Sequence, residues 1–165
     1  MPPLTVRPAT PADFPVLRPM LLDMGFVEDA EALAARFPSF CEREDFALLV
    51  AQDAGGRLLG YAAVHDYGPH LRSGNSGRTA KLDDLYTVPG ARRQGVARTL
   101  MHAVEAWARA RPLRYVFWYA NDHSAAPAYE RMGYRSADAG QEGYRFFEID
   151  FGQVHTRTPH PLRGS

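Results

Sequence analysis

The chain has 165 residues, of which 45% are hydrophobic, and this is enough to bury the core of one compact domain. Basic and acidic residues balance at 19 each, which argues against binding of nucleic acid or membranes through a general positive field. The single cysteine, Cys41, excludes an internal disulfide and a cysteine-based zinc cluster. Because the first residues lack a signal-peptide pattern and no run of about 20 apolar residues is present, we expect a cytoplasmic protein.

The first half of the chain predicts a strand, two helices and a hairpin. Thr10 followed by Pro11 suits the N-cap and the first position of a helix. Pro19 lies within the apolar pattern of this helix and predicts a kink or a split there. A turn rich in glycine and aspartate, DAGGR, separates two apolar runs, as is typical of a β-hairpin. The predicted elements are a strand at 4–7, a helix after Thr10, a helix at 28–43, and strands at 46–52 and 58–67.

The second half predicts strands alternating with helices. Its clearest helix carries Leu100, Val104 and Trp107 on one face, and Pro112 ends it. The predicted elements are a surface loop at 68–79, a strand at 81–88, helices at 97–112 and 124–133, and strands at 114–120 and 144–151. We therefore expect one mixed α/β domain over residues 1–154, followed by a flexible tail at 155–165.

Three arginines surround a glycine where strand 81–88 turns into helix 97–112, in the segment VPGARRQGVARTL. The start of a helix presents unpaired backbone N–H groups, and Gly95 allows a ligand to approach the main chain closely. The guanidinium groups of Arg92, Arg93 and Arg98 add contacts that suit phosphate. A pyrophosphate site is one interpretation, and a helix start with solvated arginines is the other. The GK[ST] and GxGxxG patterns are absent, which argues against NTPases and dinucleotide-binding enzymes.

The segment from Arg92 to Ala97 resembles the [Q/R]xxGx[G/A] signature of the GCN5-related N-acetyltransferases, the GNAT family. The resemblance extends over residues 4–151, through VRPATPAD, LDDLYTVP and APAYERMGY. It implies the GNAT fold, in which a central, mostly antiparallel sheet is splayed between strands 4 and 5 and flanked by helices. Two segments, LDDLY and QEGYRFFEID, also resemble the diamine and polyamine acetyltransferases.

The resemblance implies a cofactor, acetyl-CoA, and the residues that bind it. In the family, the strand before the loop bonds the acetyl carbonyl and the pantetheine arm through its backbone. Asn121 is included although it precedes the family's tyrosine position by eight residues instead of seven. No spacing of His, Asp or Glu resembles a metal site. The implied cofactor-binding residues are Leu85, Tyr86, Thr87, Arg92, Arg93, Gln94, Gly95, Val96, Ala97, Arg98 and Asn121.

The resemblance also implies two catalytic roles. Tyr129 matches the tyrosine that protonates the departing CoA thiolate, although from the residues alone it is most simply a core aromatic. Asp83 and Asp84 match acidic positions that take the proton of the amine, and of the two we favour Asp84. The alternative is a carboxylate that is only ion-paired, with Lys81, Arg78 or Arg114. Each of three histidines is an alternative base, and three acidic residues could line an acceptor pocket. These further candidates are His65, His70, His123, Glu28, Asp29 and Asp66.

The sequence therefore predicts an N-acetyltransferase in which a bound amine attacks acetyl-CoA directly. Cys41 is a poor nucleophile because neighbouring carboxylates are expected to raise its pKa. The first choice of acceptor is a primary amine of a small cationic substrate, such as a polyamine or diamino acid. The alternatives are an aminoglycoside, a protein or peptide amine, or a CoA-binding sensor without turnover. The apolar last strand suits pairing into a homodimer or a monomer core equally well.

Overall fold

The computed structural model describes residues 3–152. Short 3-10 turns precede α1 and α3, and a third lies in the loop before β4. The helices are α1 (Phe14–Met24), α2 (Ala30–Glu42), α3 (Val96–Ala110) and α4 (Ala125–Arg131). The strands are β1 (Thr5–Pro8), β2 (Phe46–Gln52), β3 (Leu58–Asp66), β4 (Thr79–Thr87), β5 (Tyr115–Asn121), β6 (Ser136–Asp138) and β7 (Tyr144–Asp150).

Two features of these elements differ from the sequence prediction. Pro19 does not split α1, and the helix runs through it. The proline side chain is exposed, and the hydrogen bond that it cannot donate would go to residue 15, in the exposed first turn of the helix. Strand β6 was not predicted, because three residues are too few to show an alternating pattern.

The strands form one mixed sheet in the order β1-β2-β3-β4-β5-β7-β6. Antiparallel pairing joins β1 to β2, β2 to β3, β5 to β7 and β6 to β7. Strands β4 and β5 are parallel, and their pairing covers three residue pairs, from Thr79 with Tyr115 to Lys81 with Phe117. Both strands continue beyond that point. This short parallel pairing agrees with the predicted GNAT sheet, which opens between its fourth and fifth strands.

The chain forms two compact units. Of the described residues, the first unit contains 3–65 together with Asp83–Trp107, and the second contains Asp66–Leu82 and 108–152. The single domain expected over residues 1–154 stays a prediction, and the tail at 155–165 lies outside the described residues.

Each unit has its own apolar core. In the first, α1 and α2 cover one face of β2 and β3, where Leu17, Phe37, Val50 and Tyr61 are buried. In the second, Trp118 of β5 stacks on Phe147 of β7 with ring centroids 5.4 Å apart. In β2 and β3 consecutive residues are buried, so side chains on both faces of these strands are covered. In β5 buried residues alternate with less buried ones, as is typical of a strand with one face in a core.

Candidate active site

The loop at residues 88–95, here called the cofactor loop, connects β4 to α3. It begins with a 3-10 turn at Pro89–Ala91, and its backbone then takes a positive φ at Arg93 (65°) and at Gly95 (82°). Glycine adopts such angles freely, whereas arginine does so at a cost of about 1–2 kcal/mol. The side chains of Arg92, Arg93 and Gln94 are exposed, but the next residue, Val96, is only 1% exposed and anchors the start of α3.

Two side chains of the cofactor loop donate to nearby backbone carbonyls, one at the end of β4 and one within the loop. Arg92 donates from Nε to the carbonyl of Thr87 at 3.3 Å, and Gln94 donates from Nε2 to the carbonyl of Gly90 at 3.2 Å. The N–H groups of the first turn of α3 have no carbonyl of the helix to bond. The loop therefore presents backbone donors and guanidinium groups at the positive end of a helix, an arrangement that can hold a phosphate.

The end of β4, just before the cofactor loop, lies close to β3. Val88 donates its N–H to the carbonyl of Leu59 at 2.9 Å. A Cβ atom at Gly60 would overlap the carbonyl oxygen of Tyr86 and press on Val96. Gly60 therefore allows the backbone of Leu85–Thr87, the predicted contact strand for the thioester, to approach β3 closely.

Asp84 is half-buried and accepts a hydrogen bond at Oδ2 from the hydroxyl of Tyr61 on β3, at 3.3 Å. The rings of Tyr61 and Tyr86 stack 5.8 Å apart, and Tyr86 donates to Oδ2 of Asp23 at 2.6 Å. Burial, followed by the charge of Asp84, raises the pKa of Tyr61, so this phenol stays a proton donor. The structure thus brings together two stacked phenols and two carboxylates.

Sequence reasoning found Asp84 but missed Tyr61 and Asp23. Tyr61 lies within a run of buried residues in β3, and nothing in the local pattern distinguishes its hydroxyl from that of a core tyrosine. Asp83, on the opposite face of β4, is exposed. Its burial differs from that of Asp84 because side chains alternate along the strand.

Tyr129 lies in α4, within the second unit, and is 8% exposed. Its ring packs 5.2 Å from that of Trp118 and 5.3 Å from that of Phe147. Gly133, at a φ of 98°, follows the end of α4, and Tyr134 donates its N–H to the carbonyl of Tyr129 at 3.2 Å. The core-aromatic interpretation thus describes the ring of Tyr129 correctly, while the role of its hydroxyl stays a prediction.

Asn121 accepts hydrogen bonds at the start of α4, the helix that carries Tyr129. Its Oδ1 accepts hydrogen bonds from the backbone of Ser124 at 2.9 Å and Ala125 at 3.3 Å, and from the hydroxyl of Ser124 at 3.0 Å. These bonds satisfy N–H groups at the start of α4 that have no partner within the helix. The predicted contact of Asn121 with pantetheine stays a prediction.

Asp66 has a structural role in place of the predicted one in an acceptor pocket. It is 3% exposed and accepts from Arg78 at 2.6 Å and Arg111 at 2.8 Å, and also from the N–H of Gly68 at 2.8 Å. Burial opposes its charge, but these hydrogen bonds outweigh burial and lower its pKa. A carboxylate held by two guanidinium groups does not remain available to recognise a cationic substrate.

The other candidates have ordinary roles in the structure. Asp29 caps α2, accepting from two backbone N–H groups at 2.9 and 3.3 Å. His65 lies 3.4 Å from Asp45, and the side chain of His123 is 90% exposed. Burial first, and then the charges of Asp13 and Glu42, raise the pKa of Cys41. This direction agrees with the expectation from the sequence, although burial contributes more than the neighbouring carboxylates.

Within residues 3–152, no group of three or more His, Cys, Asp or Glu side chains is arranged to hold a metal ion. No helix in this part of the chain has the length and apolarity needed to cross a membrane.

Comparison with known proteins identifies the family. The family described as Acetyltransferase (GNAT) matches residues 15–134, a span that includes β4, the cofactor loop and α4. The chain belongs to this GNAT family. The sequence-based assignment from RRQGVA is therefore confirmed.

Two relatives of this GNAT chain are enzymes named aminoglycoside N(6')-acetyltransferase type 1. The one from Klebsiella aerogenes is 37% identical over 87 residues, which is 53% of this chain and 57% of that enzyme. The one from Stenotrophomonas maltophilia is 32% identical over 108 residues, 64% of this chain and 67% of that enzyme. The chain thus spans little more than half of the Klebsiella enzyme.

Solved structures confirm the GNAT fold. The spermidine N-acetyltransferase SpeG of Vibrio cholerae superposes with a TM-score of 0.72 at 16% identity, covering 89% of this chain and 93% of that one. NAA60 of Arabidopsis thaliana in complex with acetyl-CoA gives a TM-score of 0.70 at 19% identity, covering 92% and 100%. At these identities the likeness concerns the fold and not the substrate.

Proposed function

We propose that this GNAT chain is an acetyl-CoA-dependent N-acetyltransferase that modifies a primary amine of a small cationic substrate. The observation that carries the proposal is the cofactor loop, in which exposed residues with a positive φ at Arg93 and Gly95 lead directly into a 15-residue helix. Such a loop suits the pyrophosphate of a CoA thioester, which needs backbone donors and guanidinium groups and no metal.

The relatives favour an aminoglycoside as the first acceptor to test, because both are named for acetylation of these amino sugars. A polyamine or diamino acid, the first choice from the sequence, becomes the second candidate. It is supported by the LDDLY and QEGYRFFEID segments and by the two carboxylates beside the tyrosine pair. Both substrate classes carry several amines that are cationic at neutral pH, which suits an acidic site.

The proposed reaction is direct transfer in a ternary complex. An alkyl ammonium has a pKa of about 10.4, so it must lose a proton before it attacks, and Asp84 accepts that proton directly or through water. The nitrogen lone pair then forms a bond to the thioester carbon, and the negative charge moves to the carbonyl oxygen. A backbone N–H of Leu85–Thr87 stabilises this oxyanion, a contribution of about 3 kcal/mol in comparable sites. The C=O bond re-forms as the C–S bond breaks, and Tyr129 protonates the departing thiolate. The extra proton on the attacking nitrogen is lost to water, which returns a proton to Tyr129.

Thiol release from acetyl-CoA tests the proposal with a panel of aminoglycosides, polyamines, diamino acids and peptides. We expect turnover with a small polyamine-like or amino-sugar acceptor. Binding of CoA, measured as a rise in melting temperature, separates an enzyme from a sensor: a sensor binds CoA but releases thiol with no amine. Exchange of both Arg92 and Arg93 for Gln is expected to abolish that rise, while exchange of the exposed Arg72 and Arg131 for Gln serves as the charge-matched control.

If the protein shows no thermal shift with excess CoA, the cofactor assignment is wrong. Cytoplasmic location and homodimer formation also stay predictions. Sedimentation at several concentrations of the full chain tests the second of these.

A further inference from the structure

The buried phenol of Tyr61 contacts the carboxylate proposed as the base. Tyr61 is 0% exposed, and the hydrogen bond from its hydroxyl joins two adjacent strands, since Tyr61 belongs to β3 and Asp84 to β4. The Tyr61 ring is fixed by stacking on Tyr86 at an interplanar angle of 22°. A rigid, buried donor thus meets a half-buried carboxylate at one defined oxygen, Oδ2.

We infer that Tyr61 is a positioning residue for Asp84, which holds the carboxylate in one orientation and favours its ionised form. The inference rests on the proposed function, in which Asp84 accepts the proton of the amine. A hydrogen bond donated to a carboxylate stabilises the charged form. With the Tyr61 hydroxyl in place, Asp84 therefore stays deprotonated at a lower pH than it would without that hydroxyl. A phenol supplies this bond without neutralising the charge, whereas an arginine would pair with it.

The charged and titratable groups around this pair come from three elements. Tyr86 and Asp83 belong to the same strand as Asp84, Asp23 lies at the end of α1, and Arg92 in the cofactor loop acts on Tyr86 through its charge. The bond from Tyr86 to Asp23 occupies the second phenol with a different carboxylate. Tyr61 and Tyr86 therefore form a matched pair, in which each ring stacks on the other and each hydroxyl serves one acid.

Replacement of Tyr61 by Phe removes the hydroxyl and keeps the stacked ring. We expect the acidic limb of the pH profile of kcat/KM to move up by about half to one pH unit. Activity below that limb is then expected to fall about three- to tenfold, while activity well above it stays within about twofold. Tyr119→Phe, which removes a half-exposed hydroxyl in β5, is the matched control and is expected to leave the position of the limb unchanged.

A double-variant cycle separates positioning from a general structural role. In an Asp84→Asn background, Tyr61→Phe should lower the rate by less than about twofold, because the group it positions is already gone. Loss by the same factor at every pH, or equal losses in the two backgrounds, would overturn the inference.

A measurement that does not need turnover tests the positioning role of Tyr61 independently of the proposed enzymatic function. The pKa of Asp84 is read by NMR of the labelled side-chain carboxyl carbon in the full chain with and without Tyr61→Phe. An upward shift supports the inference even if no amine gives thiol release, in which case the proposed function alone fails. An unchanged Asp84 pKa overturns the inference even in an active enzyme. Melting temperatures of both variants verify that each sample is folded.

Discussion

Asp66 at the end of β3 and Asp84 in β4 are both acidic residues near the middle of the sheet, and they have opposite surroundings. Asp66 is buried and bonded by two guanidinium groups, whereas Asp84 is half-buried and bonded by a neutral phenol. The first arrangement satisfies the charge fully and ties Arg78 and Arg111 to the strand. The second holds the carboxylate in place but leaves its charge uncompensated by Tyr61.

This difference shows why acidic residues in a sequence do not all indicate a cation site. A carboxylate can act as a base only if the protein does not already neutralise it. Ion pairing to two guanidinium groups marks Asp66 as part of the framework, whereas the role of Asp84 as the base stays a prediction. The first two of the following predictions test the two sides of this contrast, and the other two extend it to a second catalytic candidate and a second ion pair.

The largest expected effect is on stability. Asp66→Asn is expected to lower the free energy of unfolding by about 3 kcal/mol, since it leaves two guanidinium groups without their anion. The value lies at the low end for a broken buried pair because the side chains of Arg78 and Arg111 are 19% and 26% exposed and reach water. Urea denaturation measures the effect. Asp45→Asn, at an exposed pair, is the control and should leave the midpoint of urea denaturation nearly unchanged.

Unlike Asp66→Asn, the change Asp84→Asn is expected to cause little loss of stability and a large loss of activity. Loss of a general base typically lowers the rate by about 100-fold or more. The measurement is kcat/KM for thiol release with the best acceptor. Asp83→Asn, its exposed neighbour, is the comparison. If Asp83→Asn costs more than Asp84→Asn, the role of base passes to Asp83.

Tyr129→Phe tests the predicted proton donor, and its expected effect on activity is smaller than that of Asp84→Asn. The change retains the aromatic packing against Trp118 and Phe147, so we expect the melting temperature to move little. Loss of the hydroxyl is expected to lower kcat about tenfold, because a CoA thiol has a pKa near 8.5 and leaves reasonably well without help. A variant that matches the wild-type rate would show that Tyr129 is only a core residue.

The smallest effect concerns acid stability. The pKa of Asp66 is lowered in the folded chain, and hydrogen bonds from Arg7 chiefly lower that of Asp13 to about 2. Such groups stabilise the fold above their unfolded pKa, near 3.9, and this stability is lost as the pH falls through the folded values. We therefore expect the free energy of unfolding to decline between about pH 4 and 2. Asp13→Asn should flatten that decline by about 1–2 kcal/mol, and an unchanged slope would contradict it.

Much of the framework follows from local patterns. The long helix after the cofactor loop and most strands lie within about two residues of their predicted bounds, because apolar periodicity and Pro or Gly boundaries are local signals. The three-residue strand β6 is too short to show such a pattern, and it exists because β7 supplies its hydrogen bonds. Pro19 shows the opposite case, in which a local signal for a break is overridden by burial of the adjacent Met20 and of Leu17 in the core.

By itself, the sequence determined the family, the cofactor loop and the order of the elements, since these depend on contiguous residues such as Arg92–Ala97. Only the tertiary structure decided which groups surround each carboxylate. Asp66 and Asp84 look alike in sequence, but their partners, Arg111 and Tyr61, are 45 and 23 residues away along the chain. Contacts of this range form when strands and helices pack, and no local pattern reports them.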